Sequence, residues 1–458
     1  MKRLFGTDGM RGEAGRFPLD RATLRTVGVS LTEHLRENLA GRSPVIVTGR
    51  DTRESGDWLE EALIAGAIAA GASCKSAGVI TTPGVAFLAR SLPADAGVVI
   101  SASHNPFQDN GVKIFSPSGK KLDEATERMI EADIRRANGE APVAGSIDVS
   151  DYKGEAAQLK TRYLDFLVNE IGHDLSLRDL SLVVDCANGA ASPLAPELFR
   201  RLGARVTPLN DQPDGRNINR DCGSLHTAAL QQRVVAEQAD FGVAFDGDAD
   251  RALFSDRAGR FVDGDGAMWV LANYLHARGE LSGDVVVGTV MSNVGLEIAM
   301  RSRGLRLVRT DVGDKYVLDE LLQSGASLGG EQSGHLIFPR LSLAGDGMIT
   351  ALSLLRAMSE QGRSLAELLS GFEQYPQVLV NVRVREKQPF AEIESLQTLV
   401  RDTEAKLANR GRLLLRYSGT EPLARVMIEG EDQAEIETMA KDLADAISAA
   451  IGSSDQKK

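Results

Sequence analysis

The sequence contains little cysteine and no long hydrophobic run. Its three cysteines, Cys74, Cys186 and Cys222, are odd in number and lack CxxC spacing, so neither a disulfide framework nor a zinc site is predicted. The uncharged run 62–74 is rich in alanine and glycine but shorter than the ~20 residues that span a bilayer. No apolar segment follows the basic start of the chain at residues 1–8, so a signal peptide is not expected. These absences predict a cytoplasmic protein without a membrane partner.

Positive charge is also in deficit. The chain has 52 lysines and arginines against 64 aspartates and glutamates, which gives a net charge of −12 over 458 residues. Because sequence-independent nucleic-acid binding needs a basic surface, no nucleic-acid partner is expected, and any anionic ligand must meet a local basic pocket. With 43% hydrophobic and 25% charged residues, the composition is that of a globular protein. The length allows about three domains, with two or four still open.

Short apolar, β-branched runs alternate with helical patterns over much of the chain. Such runs occupy residues 45–47, 97–100, 182–184, 241–245 and 285–287. This alternation is typical of α/β units built on mostly parallel sheets.

The sequence pattern changes at two places along the chain. Between Asn138 and Lys153 the apolar periodicity gives way to glycine, proline, serine and aspartate, which predicts a linker. From Val378 a strand, a helix, two strands and a helix follow, which indicates a smaller α+β unit. We therefore predict an α/β protein with three similar mixed α/β domains and a smaller C-terminal α+β domain, at residues 1–153, 154–256, 257–373 and 374–458.

Polar loops at strand ends are where parallel sheets bind ligands, and the first such loop contains Ser103. The loop, SASHNP at residues 101–106, directly follows an apolar run. A serine there can act as a nucleophile or accept a phosphoryl group, and a plain turn is the alternative. His104 is not expected to be its base, because neighbouring side chains of an extended segment point to opposite faces.

The second loop carries Asp246, Asp248 and Asp250. Carboxylates at alternate positions repel one another unless a cation lies between them, which favours a hard metal ion over a solvated acidic turn. An EF-hand is excluded because Arg251 and Arg257 stand where that loop needs glycine and glutamate. Magnesium shared between these carboxylates and a phosphate fits better, with Arg251 facing the same phosphate.

Two further glycine-containing loops carry hydrogen-bonding side chains. In an extended loop, Glu331 and Ser333 would face one way and could bind vicinal sugar hydroxyls, and a glycine-rich turn is the alternative. At residues 416–422, one arginine, two hydroxyls and a glycine turn could hold a phosphate with Arg425 close behind, and a hairpin turn is the alternative. No GxxxxGK[ST] motif occurs, so a nucleoside triphosphate site is not expected.

Two basic residues elsewhere in the chain could reach the same phosphate. Arg11 lies in the glycine-punctuated segment 5–12, and Lys113 follows Ser103 closely enough to return to its pocket. A structural turn and a surface lysine with a buried stem are the respective alternatives.

Five strings, taken together and in this order, carry a family resemblance: FGTDGMRG, SASHNP, DGDADR, GEQSGH and RYSGTEP. The chain closely resembles the α-D-phosphohexomutase superfamily and, within it, the bacterial phosphoglucosamine mutases. The match runs from Phe5 to Pro422. It implies four domains around a central cleft, each contributing one loop.

The resemblance implies a role for each loop. Ser103 would be the phosphoserine and would hold one Mg²⁺ per active site together with Asp246, Asp248 and Asp250. The residues implied at the reacting centre besides Ser103 are Arg11, Lys113, Arg251 and His335. Those implied to bind sugar hydroxyls are Glu331 and Ser333. Those implied to bind the non-reacting phosphate are Arg416, Ser418, Gly419, Thr420 and Arg425.

The resemblance also implies an activity. The chain would be an isomerase that interconverts glucosamine-6-phosphate and glucosamine-1-phosphate through a sugar 1,6-bisphosphate, and so supplies UDP-N-acetylglucosamine synthesis. Its partner would be a small sugar phosphate, its activator would be glucosamine 1,6-bisphosphate, and a homodimer is kept open as its assembly. Gln332 matches the glucosamine-type enzymes. A phosphoglucomutase or phosphomannomutase, and a metal-dependent phosphatase with a serine phosphoenzyme, stay open as alternatives.

Overall fold

The computed structural model describes residues 3–6, 8–37, 39–137, 139, 154–418 and 421–453. The chain divides into two compact units, the first formed by Met1–Met291 and Val308–Ser370 and the second by Ser292–Leu307 and Gly371–Lys458. The predicted linker 138–153 lies outside the described residues except for Gly139. Among the helices that are described, we find none with both the length and the apolar content of a membrane span.

A six-stranded sheet organises the N-terminal part of the first unit, in the order β1-β2-β6-β5-β3-β4. Its strands are β1 (Phe5–Gly6), β2 (Gly9–Glu13), β3 (Val45–Arg50), β4 (Ser73–Val79), β5 (Ala96–Ile100) and β6 (Asp109–Phe115). Its helices are α1 (Arg21–Glu37), α2 (Gly56–Ala69), α3 (Thr82–Ser91) and α4 (Glu124–Ala137).

This first sheet is mixed, which differs from the mostly parallel sheet expected. Strand β3 runs parallel to β4 and β5, whereas β6 runs antiparallel to both β5 and β2. The reason is the short connection between β5 and β6, which leaves no room for a crossover helix. As a result Lys113 of β6 stands opposite Val99 of β5, and the lysine returns beside the loop that follows Ile100.

A second sheet follows in the order β11-β10-β9-β7-β8. Its strands are β7 (Ser181–Asp185), β8 (Arg205–Leu209), β9 (Phe241–Phe245), β10 (Ala252–Asp256) and β11 (Phe261–Val262). The helices that pack on it are α6 (Ala195–Arg201) and α7 (Ala228–Ala236), whereas α5 (Ala156–Phe166), which precedes β7 in the chain, packs against β4 and α3. Strand β7 is parallel to β8 and β9. Strands β9 and β10 are antiparallel, and the loop that connects them carries the three aspartates.

The third sheet has the order β13-β12-β14-β15. Its strands are β12 (Val285–Thr289), β13 (Arg306–Thr310), β14 (Gly329–Gly330) and β15 (Leu336–Ile337). The neighbouring helices of the first unit are α8 (Gly264–Ala277), α10 (Asp314–Ser324), α11 (Gly347–Gln361) and α12 (Leu365–Leu368). Helix α9 (Val294–Ser302) belongs to the second unit.

The second unit contains a three-stranded antiparallel sheet in the order β16-β18-β17. Its strands are β16 (Gln377–Arg383), β17 (Arg412–Tyr417) and β18 (Leu423–Glu429), and its helices are α13 (Glu394–Leu407) and α14 (Gln433–Ile451). Leu396 of α13 and Leu443 and Ile447 of α14 are buried against Val426 of β18 in one apolar cluster. With three mixed sheets before this smaller unit, the predicted α/β fold class is confirmed.

Candidate active site

Ser103 lies fully buried in the loop after β5, in a left-handed backbone conformation with φ 54°. Its amide donates to Ser101 Oγ at 3.0 Å, and its own Oγ donates to Asp246 Oδ2 at 2.5 Å. A residue other than glycine adopts this conformation at a cost of about 1–2 kcal/mol. Such strain persists where the surroundings determine it, and it is concentrated at functional sites.

The expectation that His104 points away from Ser103 is wrong. Ser103 Oγ and His104 Nδ1 lie 3.2 Å apart, because the left-handed residue replaces the extended segment that the expectation assumed. Burial, reinforced by the nearby charges of Arg251 and Arg11, lowers the pKa of His104 to about 4. The imidazole is therefore neutral at neutral pH.

Asp246, Asp248 and Asp250 are all buried in the turn between β9 and β10. Their ligand oxygens lie within 4.8 Å of one another. Burial raises the pKa of Asp246 well above its usual range, and the charges of Asp250 and Asp248 reinforce the rise. Oδ1 of Asp248 and Oδ1 of Asp250 are buried without a hydrogen-bond partner among the described residues. Oxygen ligands with lone pairs to spare are what a hard divalent cation binds, so this cluster fits a divalent metal site.

The positively charged side chain of Lys113 lies within this cluster of carboxylates and is itself buried. Its Nζ lies 2.8 Å from Asp248 Oδ2, 3.0 Å from Asp250 Oδ2 and 3.2 Å from Asp8 Oδ2. Burial acts to lower the pKa of Lys113, but the three carboxylates outweigh it and hold that pKa well above its usual range. The lysine therefore stays charged and stabilises aspartates that would otherwise repel one another.

Arg251 and His335 lie near carboxylate oxygens of the cluster that Lys113 does not contact. The Arg251 amide donates to Asp246 Oδ1 at 3.2 Å, and the Arg251 Nε lies 3.8 Å from Asp250 Oδ1. His335 Nδ1 lies 3.6 Å from the same Asp250 oxygen, and its Nε2 lies 3.7 Å from Asp314 Oδ2. Burial acts to lower the pKa of His335, but the contact with Asp250 outweighs it and raises that pKa to about 9.

Arg11 reaches the edge of the serine loop from β2. One of its terminal nitrogens pairs with Asp8, and the other lies 3.4 Å from Asn105 Oδ1. Burial acts to raise the pKa of Asp8, but Lys113 and Lys121 outweigh it, and the pKa lies well below its usual range. Arg11 is thus held by charge beside the loop that carries Ser103.

The loop with Glu331 and Ser333 is a turn rather than the extended segment assumed from the sequence. The amide of Gly334 donates to the carbonyl of Glu331 at 3.0 Å, and Gly334 has a φ of 92°. Glu331 Oε1 accepts from the amide of Gly313 at 3.0 Å. Ser333 Oγ is buried and has no hydrogen-bond partner among the described residues, which leaves it available to a ligand hydroxyl.

Comparison with known proteins agrees with this geometry. Models of the phosphoglucomutase/phosphomannomutase family match alpha/beta/alpha domains I, II and III at residues 2–140, 161–259 and 263–375, and the C-terminal domain at 379–446. The chain belongs to the phosphoglucomutase/phosphomannomutase family. The predicted enzyme class, an isomerase that moves a phosphoryl group within a sugar phosphate, is thereby confirmed.

Individual relatives of this family are similar over nearly the whole chain. A phosphoglucosamine mutase of Solibacter usitatus is 49% identical over 98% of this chain and 99% of its own length. The crystal structure of a family protein from Burkholderia thailandensis is 26% identical, with a TM-score of 0.78 and 98% of each chain covered. An N-acetylphosphoglucosamine mutase of Aspergillus fumigatus, solved with GlcNAc-6P and magnesium, shares the fold at 20% identity and a TM-score of 0.63, with 99% of this chain and 96% of its own covered.

In the second unit, the family's C-terminal domain carries the loop predicted to bind phosphate. Arg416 of β17 stands directly opposite Arg425 of β18, and a terminal nitrogen of Arg425 lies 3.8 Å from Glu421 Oε2. Arg425 Nε is buried without a hydrogen-bond partner among the described residues. Ser418 is buried, and its Oγ accepts from the amide of Glu421 at 3.2 Å. Gly419 and Thr420 lie outside the described residues.

Several residues of the site were missed from the sequence. Thr82 at the start of α3 donates its hydroxyl to Asp248 Oδ2 at 2.5 Å, and Lys121 pairs with both Asp8 and Asp314. Asp51 accepts from Ser101 Oγ at 2.6 Å. Asp51 follows β3 in the same way that the serine loop follows β5, so the strand-end signal could have identified it. No comparable signal marks Thr82 or Lys121.

Replacement of Gly247 by alanine tests how closely the serine and aspartate loops are packed. A Cβ at Gly247 would lie 2.5 Å from the Ser103 carbonyl oxygen and 2.9 Å from Asn219 Nδ2. Because a main-chain atom must move, we expect Gly247→Ala to lower the free energy of unfolding by about 1–3 kcal/mol, measured as a lower midpoint in urea. The control is Gly6→Ala, whose Cβ would meet its nearest atom at 3.6 Å. Equal midpoints for the two variants would contradict the packing.

Proposed function

We propose that this protein interconverts glucosamine-6-phosphate and glucosamine-1-phosphate through a phosphoserine at Ser103 and a sugar 1,6-bisphosphate. The observation that carries the proposal is the juxtaposition of a buried serine hydroxyl, 2.5 Å from Asp246, with two further carboxylates that each have a buried oxygen without a described hydrogen bond. A nucleophilic oxygen beside a cation site is what phosphoryl transfer to a serine needs.

Phosphoryl transfer depends mainly on positioning and on neutralisation of negative charge. Asp246, Asp248 and Asp250 would hold Mg²⁺, one ion per active site, which when bound neutralises charge on a phosphoryl group carried by Ser103. The side chains of Lys113 and Arg251 supply positive charge next to the same carboxylates. Arg11 and His335 lie at the edges of this cluster and would face the reacting phosphate.

The sugar must bind in two orientations, because the phosphoryl group moves from carbon 6 to carbon 1 by way of the bisphosphate. Glu331 and the unpartnered hydroxyl of Ser333 would bind sugar hydroxyls in either orientation. The phosphate that is not reacting would be bound in the second unit by the two arginines that face each other across β17 and β18 and by the loop between these strands. Those residues are Arg416, Ser418, Gly419, Thr420 and Arg425.

Glucosamine phosphate is proposed as the substrate on two grounds. The family resemblance implies that Gln332 matches the glucosamine-type enzymes, and curated relatives named phosphoglucosamine mutase are 44–49% identical. Glucosamine 1,6-bisphosphate is proposed as the activator because it is the species that can phosphorylate Ser103. Four further predictions belong to this proposal. They are a homodimer, a cytoplasmic location, a role in UDP-N-acetylglucosamine synthesis, and domain boundaries at residues 153, 256 and 373.

Phosphorus NMR tests the proposed substrate. Purified protein receives Mg²⁺, a trace of sugar 1,6-bisphosphate, and glucosamine-6-phosphate, glucose-6-phosphate or mannose-6-phosphate in parallel samples. Fastest formation of the 1-phosphate from glucosamine supports the proposal, and faster conversion of glucose or mannose phosphate contradicts the substrate. Release of inorganic phosphate would instead indicate a phosphatase.

Ser103→Ala is expected to abolish turnover while leaving substrate binding intact. The alanine lacks the oxygen that carries the phosphoryl group, whereas the side chains proposed to bind sugar and phosphate are unchanged. Turnover is measured in the NMR assay and binding by calorimetry. Ser116→Ala, which removes a half-buried loop hydroxyl that contacts Ser118 Oγ and the carbonyl of Lys120, is the matched control. Turnover in Ser103→Ala equal to that of the control would refute the phosphoserine.

Arg416→Ala is expected to raise KM with little change in kcat. Loss of charge-assisted hydrogen bonds to the non-reacting phosphate removes about 1.5–3 kcal/mol, which corresponds to roughly a ten- to hundredfold rise in KM. Steady-state kinetics provide the measurement. The control, Arg410→Ala, removes an exposed arginine of the same unit that pairs with Glu431. The same KM in the two variants would count against the phosphate loop.

A further inference from the structure

All three nitrogens of the Arg53 guanidinium group donate hydrogen bonds, either to backbone carbonyls of the serine loop or to one carboxylate. The side chain is buried, and its Nε donates to Asp51 Oδ2 at 2.9 Å. One terminal nitrogen donates to the carbonyls of Ser103 and Asn105, each at 2.9 Å, and the other donates to the carbonyl of Pro106. A planar fork of donors is suited to this arrangement, and a single ammonium is not.

Asn219 binds two of the same carbonyls from another part of the fold. It lies in the connection between β8 and α7, and its Nδ2 donates to the carbonyl of Ser103 at 2.9 Å and to that of Asn105 at 3.0 Å. Both carbonyls therefore receive hydrogen bonds from the first sheet's loop and from the second sheet's loop. The serine loop is tied on both sides to elements that carry no reacting group.

These contacts leave the backbone of Ser103 with little freedom. Its amide is held by Ser101 Oγ, which in turn donates to Asp51, the partner of Arg53. Its carbonyl is held by Arg53 and Asn219. A residue in the left-handed region keeps that conformation only when its surroundings determine it. The direction of Ser103 Oγ toward Asp246 is fixed by this set of contacts.

We infer that Arg53 and Asn219 are positioning residues for phosphoryl transfer. They hold the Ser103 loop in its left-handed conformation, so that Oγ faces the aspartate cluster both before and after it is phosphorylated. Both side chains bind the carbonyl of Ser103 and not its Oγ, and no described hydrogen bond joins either of them to the three aspartates of the cluster or to the predicted sugar-binding residues. Their effect is therefore on the rate of transfer and not on the affinity for substrate or metal. This inference rests on the proposed phosphoserine chemistry.

The test compares Asn219→Ala and Arg53→Lys with the wild-type protein. Rapid-quench mixing with glucosamine 1,6-bisphosphate gives the rate at which Ser103 becomes phosphorylated, read by mass spectrometry. Steady-state kinetics give kcat and KM, and calorimetry gives the affinity for Mg²⁺. Because small displacements of a reacting group cost up to about a hundredfold in rate, we expect phosphorylation and kcat to fall roughly tenfold in Asn219→Ala and about a hundredfold in Arg53→Lys. KM and the Mg²⁺ affinity stay close to wild-type values.

Two matched controls separate positioning from general stability. Asn273→Ala removes an amide that donates to the carbonyl of Trp269, and Arg356→Lys alters a guanidinium that binds the carbonyls of Ile171 and His173. Both are expected to keep the wild-type rate. If Arg53→Lys does not fold, Asn219→Ala decides alone, because it removes one neutral amide and leaves Arg53 on both carbonyls.

The outcomes distinguish this inference from the proposed function. Wild-type rates in Asn219→Ala would overturn the inference, as would a loss that appears only in KM or in the Mg²⁺ affinity. If the wild-type protein itself forms no phosphoserine at Ser103, the proposed function fails instead.

Discussion

Mutual repulsion among three buried carboxylates is the constraint on which the rest of the first unit depends. Asp246, Asp248 and Asp250 place ligand oxygens within 4.8 Å of one another, and burial deprives them of the water that would screen their charges. Lys113 offsets part of this charge through contacts with Asp248 and Asp250, and His335 lies near the other oxygen of Asp250. The buried oxygens of Asp248 and Asp250 that accept no described hydrogen bond fit a divalent cation.

The topology explains how residues far apart in sequence meet at this cluster. The antiparallel return of β6 brings Lys113 next to the loop after β5, and the hairpin of β9 and β10 presents the aspartates at its turn. The turn before β15 adds His335. The serine, the aspartates and His335 thus lie in loops or turns next to buried strands, whereas Lys113 reaches the cluster from within β6.

The sequence predicted the elements that depend on local pattern. The apolar runs became strands, and the strand-end strings contain the serine and the three aspartates that the structure brings together. It did not predict the backbone conformation of Ser103, because a left-handed φ at a serine arises from tertiary contacts with Arg53 and Asn219 and leaves no local signal. For the same reason the proximity of His104 to Ser103 was missed.

Calorimetric titration of Mg²⁺ into the purified protein tests the central claim most directly. The account predicts one bound ion per chain in the wild-type protein and an affinity at least about tenfold weaker in Asp248→Asn, which loses one charged ligand. Asp319→Asn, which removes an exposed carboxylate paired with Lys120, should bind as the wild-type protein does. Equal affinity in Asp248→Asn and Asp319→Asn would contradict the claim that the buried aspartate cluster is a metal site.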